Sequence, residues 1–110
     1  GNDRDLIQAV IRSGERQGEM FWELPMVEEY KEMLKTPYAD LKNIGGKMAG
    51  TITAALFLRE FVPEETPWAH LDIAGPFLLE KNWKYYGEGA TGFGLKMMVD
   101  LCQRFDDYFA

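Results

Sequence analysis

The sequence predicts an α/β arrangement of about four helices and two strands in the order ααβαβα. Three observations carry that reading. Apolar residues recur at helical spacing in four segments, two short runs place apolar residues at alternate positions, and Gly-Gly or Gly-Pro closes each of those runs.

Taken in order, Leu6, Ile7, Val10 and Ile11 form a helical stripe behind Asn2 and Asp3, either of which is a competent cap. This helix should fade between Gly14 and Gly18. After Pro25, a natural first-turn residue, Met26, Val27, Tyr30, Met33 and Leu34 make a second stripe, which Thr36-Pro37 stops. Residues 39–44, ADLKNI, read as a strand or strand-like segment ending at Gly45-Gly46. From Lys47 to Phe61, small residues alternate with Ile52, Leu56, Phe57 and Phe61, giving a helix apolar on most of its circumference that should pack on both sides. PEETP breaks it. Residues 68–74, WAHLDIA, alternate Leu71 and Ile73 against His70 and Asp72, which predicts a second strand closed by Gly75-Pro76. Residues 76–91 read as irregular and gather Trp83, Tyr85 and Tyr86. A last helix from about Gly92 to Tyr108 carries Leu95, Met98, Val99, Leu101, Cys102 and Phe105. Two strands make a poor sheet alone.

The totals bound the partners. At 110 residues, with 46% hydrophobic and 27% charged residues, the chain reads as one soluble globular domain or a piece of one. Its net charge is −6 and no basic block occurs, which argues against nucleic acid or an anionic membrane. The longest nearly apolar run, residues 48–58, is too short to span a bilayer. NDRD at the start does not resemble a signal peptide. Cys102, the sole cysteine, excludes an internal disulfide and fits a reducing compartment, so a cytoplasmic location is expected. Gly1 in place of Met is expected to be the scar of a cleaved tag.

Two motifs invite chemistry. Gly87-Glu88-Gly89-Ala90-Thr91-Gly92 satisfies G-x-G-x-x-G, the dinucleotide-binding pattern. Such a fingerprint must follow a strand, open a helix and lead to a second strand bearing an acid. Here it follows NWKYY, and no further strand comes after the last helix. The plainer reading is a tight turn with Thr91 as helix cap and glycines that let the helix start close to the sheet. His70 and Asp72, two apart on a strand, would face one side, yet Ser13 and Cys102 carry no nucleophile signature. A structural role for His70 is therefore expected. No HExxH or paired CxxC occurs, so no metal ligand is assigned in this chain, and the residues alone provide no self-contained active site.

Five blocks taken together resemble the C-terminal portion of the leucyl (cytosol) aminopeptidase family: GEMFWELPMVEEYKEMLK, ADLKNIGG, AGTITAALFLREFV, PWAHLDIAG and GATGFG. They occur in the same order and at similar spacings from about Gly18 onward. The resemblance implies a fragment of a three-layer αβα catalytic domain, with a mixed central sheet between helices, in a hexameric metallo-exopeptidase that hydrolyses N-terminal residues from peptides. It also implies two divalent metal ions, zinc with manganese or magnesium as substitutes, held by Lys, Asp and Glu in motifs that this chain lacks. The chain alone is therefore expected to be inactive, with no catalytic residue and no bound metal of its own.

Three positions carry over as pocket wall. Ile44 matches a residue lining the pocket for the substrate residue after the cut. Ala74 and Phe77 match residues lining the pocket for the N-terminal side chain, where an aromatic at position 77 would narrow or reshape the cavity. His70 and Asp72 match no catalytic or metal residue of the family. A different class of reading is a non-catalytic binding or assembly module derived from the same fold, which a natural start codon near Asn2 would favour. In either case the missing sheet neighbours should leave residues 39–44 or 68–74 with unpaired edges and so promote self-association.

Overall fold

The computed structural model describes all 110 residues, which divide into two compact units. The first comprises residues 1–3 and 23–70; the second comprises residues 4–22 and 71–110.

In the first unit a 3-10 helix, Glu28–Leu34, packs against α2, Gly50–Arg59. Leu34 and Leu56 are fully buried, with Ala55 beside them in the core. The 3-10 helix is shorter than the stripe over residues 26–34 predicts. It has no side-chain cap, and Tyr30 N–H and Lys35 N–H donate three residues back, to Val27 O and Glu32 O. An ion network crosses from it to α2: Arg59 pairs with Glu28, and Lys31 pairs with both Glu28 and Glu60.

Gly45 is favoured by closeness. A Cβ there would lie 3.2 Å from Met33 Cβ and 3.3 Å from Thr53 Cβ, so the backbone passes tightly between the two helices. Ala49, at the N-cap of α2, adopts a left-handed φ of 52°, which is strained for a residue with a Cβ.

Asn2 does not cap the first helix. Its side chain donates to Thr66 O at 2.9 Å and accepts from Trp68 N–H at 2.7 Å, while its own N–H donates to Trp68 O at 3.0 Å.

In the second unit α1, Arg4–Gln17, packs against α3, Leu95–Gln103, and α4, Phe105–Phe109. The expected single last helix is broken at Arg104, whose φ of −117° and ψ of 29° leave the helical region. The buried side of α3 carries Met97 and Asp100, whereas Leu95, Met98 and Val99 remain exposed. α1 ends at Gly18, with a left-handed φ of 71°, and Glu19 N–H donates to Gly14 O at 2.8 Å. At Gly14 the chain doubles back so closely that a Cβ would fall 2.3 Å from Glu19 O and 2.6 Å from the Phe21 ring.

The strands lie elsewhere than expected. Residues 39–44 and 68–74 form no ladder, because neither finds a partner strand in this chain. Their backbone groups bond outside any ladder instead, Lys42 N–H to Leu34 O at 2.9 Å and Trp68 N–H to the Asn2 side chain at 2.7 Å. The sheet is a short antiparallel hairpin, β1 Leu78–Leu79 with β2 Gly89–Ala90, in the stretch that read as irregular. Leu78 sits opposite Ala90 and Leu79 opposite Gly89. The tip is closed by reciprocal hydrogen bonds between Trp83 and Tyr86, both 3.0 Å. The second unit is thus dominated by helices, with this hairpin as its sheet.

Candidate functional site

The turn at residues 74–77 brings two of the three candidate wall residues together. Ala74 and Phe77 occupy its two ends, immediately before β1, and Phe77 N–H closes it by donating to Ile73 O at 3.1 Å. Ahead of the turn, Asp72 Oδ1 accepts from Ala74 N–H at 3.0 Å. An aspartate folding onto the N–H two residues later is a local turn device and competes with strand formation. The Asp72 carboxylate thus serves the turn. The His70 ring lies 6.3 Å, centre to centre, from that of Trp68.

Behind the turn stands Thr91. Its backbone N–H donates to Phe77 O at 3.0 Å, its hydroxyl donates to Pro76 O at 2.6 Å, and the same oxygen accepts from Phe93 N–H at 3.1 Å. Thr91 is therefore not the cap of the last helix. That helix begins at Leu95 after Gly94, because the Thr91 hydroxyl is already engaged on the turn.

The glycine-rich stretch also has a different reason from the one expected. Gly89, Gly92 and Gly94 have φ of 109°, 66° and 93°, yet a Cβ on any of them would meet nothing within 4 Å. Backbone conformation demands these glycines, not close approach of helix to sheet.

Phe77 is 49% exposed and Ala74 is also exposed, so both present surface to an occupant. Ile44 belongs to the first unit, directly before the tightly packed Gly45, and is 71% exposed.

No group of three or more His, Cys, Asp or Glu side chains lies together so as to hold a metal ion. The donor set present does not fit a dinuclear metal centre. No helix is long and apolar enough to cross a membrane.

Two buried acids escaped the sequence reading. Asp100, only 6% exposed, gathers Ser13 and Tyr108 hydroxyls at 2.9 and 2.8 Å and the Gln17 amide at 3.0 Å. Arg16 and Arg104 lie 3.5 and 3.4 Å from it. The Tyr108 hydrogen bond chiefly holds the Asp100 carboxyl below the usual carboxylate range. Burial opposes this, and Ser13, Gln17 and the Arg16 charge reinforce it. Glu19, fully buried, accepts from Met97 N–H, while its Oε1 has no hydrogen-bond partner. Neither acid has a signature that sequence pattern would reveal, since each is a charged residue at a position that reads as surface.

Comparison with known proteins places these features. Residues 1–99 match the cytosol aminopeptidase family, catalytic domain. A probable cytosol aminopeptidase of Picosynechococcus sp. is 55% identical over 95 residues, covering 86% of this chain and 19% of the relative. Among solved structures, a bottromycin maturation enzyme, BotP, in complex with Mn, is 36% identical at a TM-score of 0.88, over 94% of this chain and 23% of that one. A mutant of tomato leucine aminopeptidase is 39% identical at a TM-score of 0.83, over 93% and 19% of the two chains. The chain thus spans about a fifth of the length of the curated relatives it matches.

Proposed function

This chain belongs to the cytosol aminopeptidase family, and we propose that it is the C-terminal portion of a metal-dependent leucyl aminopeptidase that removes N-terminal residues from peptides. The match of residues 1–99 to the catalytic domain carries the reading. In this reading the whole enzyme is cytoplasmic and hexameric. It uses two divalent ions, zinc with manganese or magnesium as substitutes, held by residues outside this chain. The manganese in a structural neighbour supports a divalent-ion enzyme. The 110-residue chain contributes pocket wall and has no turnover alone.

Ala74 and Phe77 line the pocket for the N-terminal side chain, and Ile44 lines the pocket for the residue after the cut. Their exposure supports this role, as does a turn whose two ends present Ala74 and Phe77. An apolar wall discriminates side chains by the area they bury, with each methylene contributing about 0.8 kcal/mol. Phe77 should therefore limit side-chain size.

The test uses the full-length protein with zinc or manganese and anilides of leucine, alanine and phenylalanine. The expected result is turnover of the leucine substrate, with Phe77→Ala shifting preference toward the larger side chains. An unchanged preference would remove Phe77 from the pocket, and a full-length protein without aminopeptidase turnover would overturn the whole reading.

A further inference from the structure

We propose that Thr91 is a positioning residue for substrate selection: it clamps the Pro76-Phe77 turn and thereby sets the width of the pocket for the N-terminal side chain. The inference rests on the assignment of Phe77 to that pocket.

One residue makes three bonds at this point. The Thr91 hydroxyl has one hydrogen and two lone pairs. It spends the hydrogen on Pro76 O at 2.6 Å and a lone pair on Phe93 N–H at 3.1 Å, while the Thr91 backbone N–H holds Phe77 O at 3.0 Å. Pro76 has no N–H, so its carbonyl is the backbone handle by which the turn can be held there. The two consecutive carbonyls of the wall, at 76 and 77, thus end on the same residue.

The clamp is itself anchored. Gly92 and Gly94 adopt left-handed φ and bring Phe93 N–H back onto the Thr91 hydroxyl. The Phe93 ring then lies 5.1 Å from that of Phe21. Four residues further on, Met97 N–H is held by the buried carboxylate of Glu19. Phe77 is therefore tied, through Thr91, to the buried part of the second unit. This gives GEGATGFG a function that its likeness to a nucleotide loop conceals.

Thr91→Val keeps the shape of the side chain and removes the hydroxyl, leaving Pro76 O and Phe93 N–H without their partner. In the full-length enzyme KM for the leucine anilide should rise about three- to tenfold, the range expected from one lost hydrogen bond. kcat should change little, and the leucine-to-alanine preference should shift with KM. Thr91→Ser, which keeps the hydroxyl, should restore both. Thr91→Cys, a weaker donor in the same place, should fall between them and serves if the valine variant does not fold.

An unchanged KM and preference in Thr91→Val, or an equal fall in kcat on every substrate, would overturn the inference. Phe77→Ala is measured alongside. If it shifts preference and Thr91→Val does not, the positioning role alone fails. If Phe77→Ala leaves preference unchanged, the pocket assignment fails and the inference falls with it.

Discussion

The buried carboxylate of Glu19 accepts a hydrogen bond from the backbone N–H of Met97 at 2.8 Å, so a side chain beyond the end of α1 caps the first turn of α3. The helix has no side-chain cap of its own, its N-cap being Gly94, and an anion at this end also complements the helix dipole. Glu19→Ala should destabilise the chain by about 1–3 kcal/mol, because it leaves a buried N–H unpaired. Glu19→Gln keeps an acceptor and should cost less. Urea unfolding of the three proteins checks the order, and equal midpoints for Glu19→Ala and the unaltered chain would contradict the cap.

Asp100 makes stability depend on acid. Its folded carboxyl is held below the usual range, chiefly by Tyr108, so the unfolded chain takes up the proton first as pH falls. The contribution is complete above about pH 4, the ordinary carboxylate value. It is lost as pH falls through the lower, folded value. Asp100→Asn should weaken the chain at neutral pH and flatten the acid limb, which unfolding midpoints measured between about pH 7 and about pH 3 will show. An acid limb of the same slope in both proteins would argue against this role of Asp100.

Two glycines should respond oppositely to alanine. At Gly14 the added Cβ would meet Glu19 O at 2.3 Å, and a backbone oxygen cannot swing aside. Gly14→Ala should therefore cost about 1–3 kcal/mol or more by overpacking. At Gly50, the first residue of α2, nothing lies within 4 Å and φ is not positive. Gly50→Ala should stabilise by about 0.4–1 kcal/mol through the unfolded state. Thermal melts of the two variants read the signs directly.

The chain should self-associate. Ile44, Met48 and Phe61 are exposed in the first unit, and Leu95, Met98 and Val99 are exposed in the second. Residues 39–44 and 68–74 make no ladder. Apolar surface of this kind, beside segments suited to a sheet, is ordinarily covered. Sedimentation velocity over a concentration series should show oligomers growing in, whereas a strictly monomeric species at high concentration would contradict the expectation.

Helices were legible where burial and periodicity coincide. Leu6, Ile7, Val10 and Ile11 foretell α1, and the small residues after Lys47 foretell α2. Strands were not. The alternation of Leu71 and Ile73 with His70 and Asp72 records which residues suit a sheet, but a strand exists only beside another strand, and this chain supplies none there. The roles of Asp72 and Thr91 are not legible in the sequence for a related reason. Each has a short polar side chain able to bond to nearby backbone, and which backbone group it takes depends on the fold of the turn between them. Ala74 and Phe77 could be singled out through the resemblance to a family, because an exposed Ala and Phe beside a Gly-Pro carry no chemical signature of their own.

In the proposed function this chain carries pocket wall of an aminopeptidase without the residues that perform its chemistry. The most direct measurement is a zinc titration of the isolated 110-residue chain combined with a leucine anilide assay. No stoichiometric tight binding and no turnover are expected. Tight binding of zinc accompanied by hydrolysis of the anilide would contradict this reading.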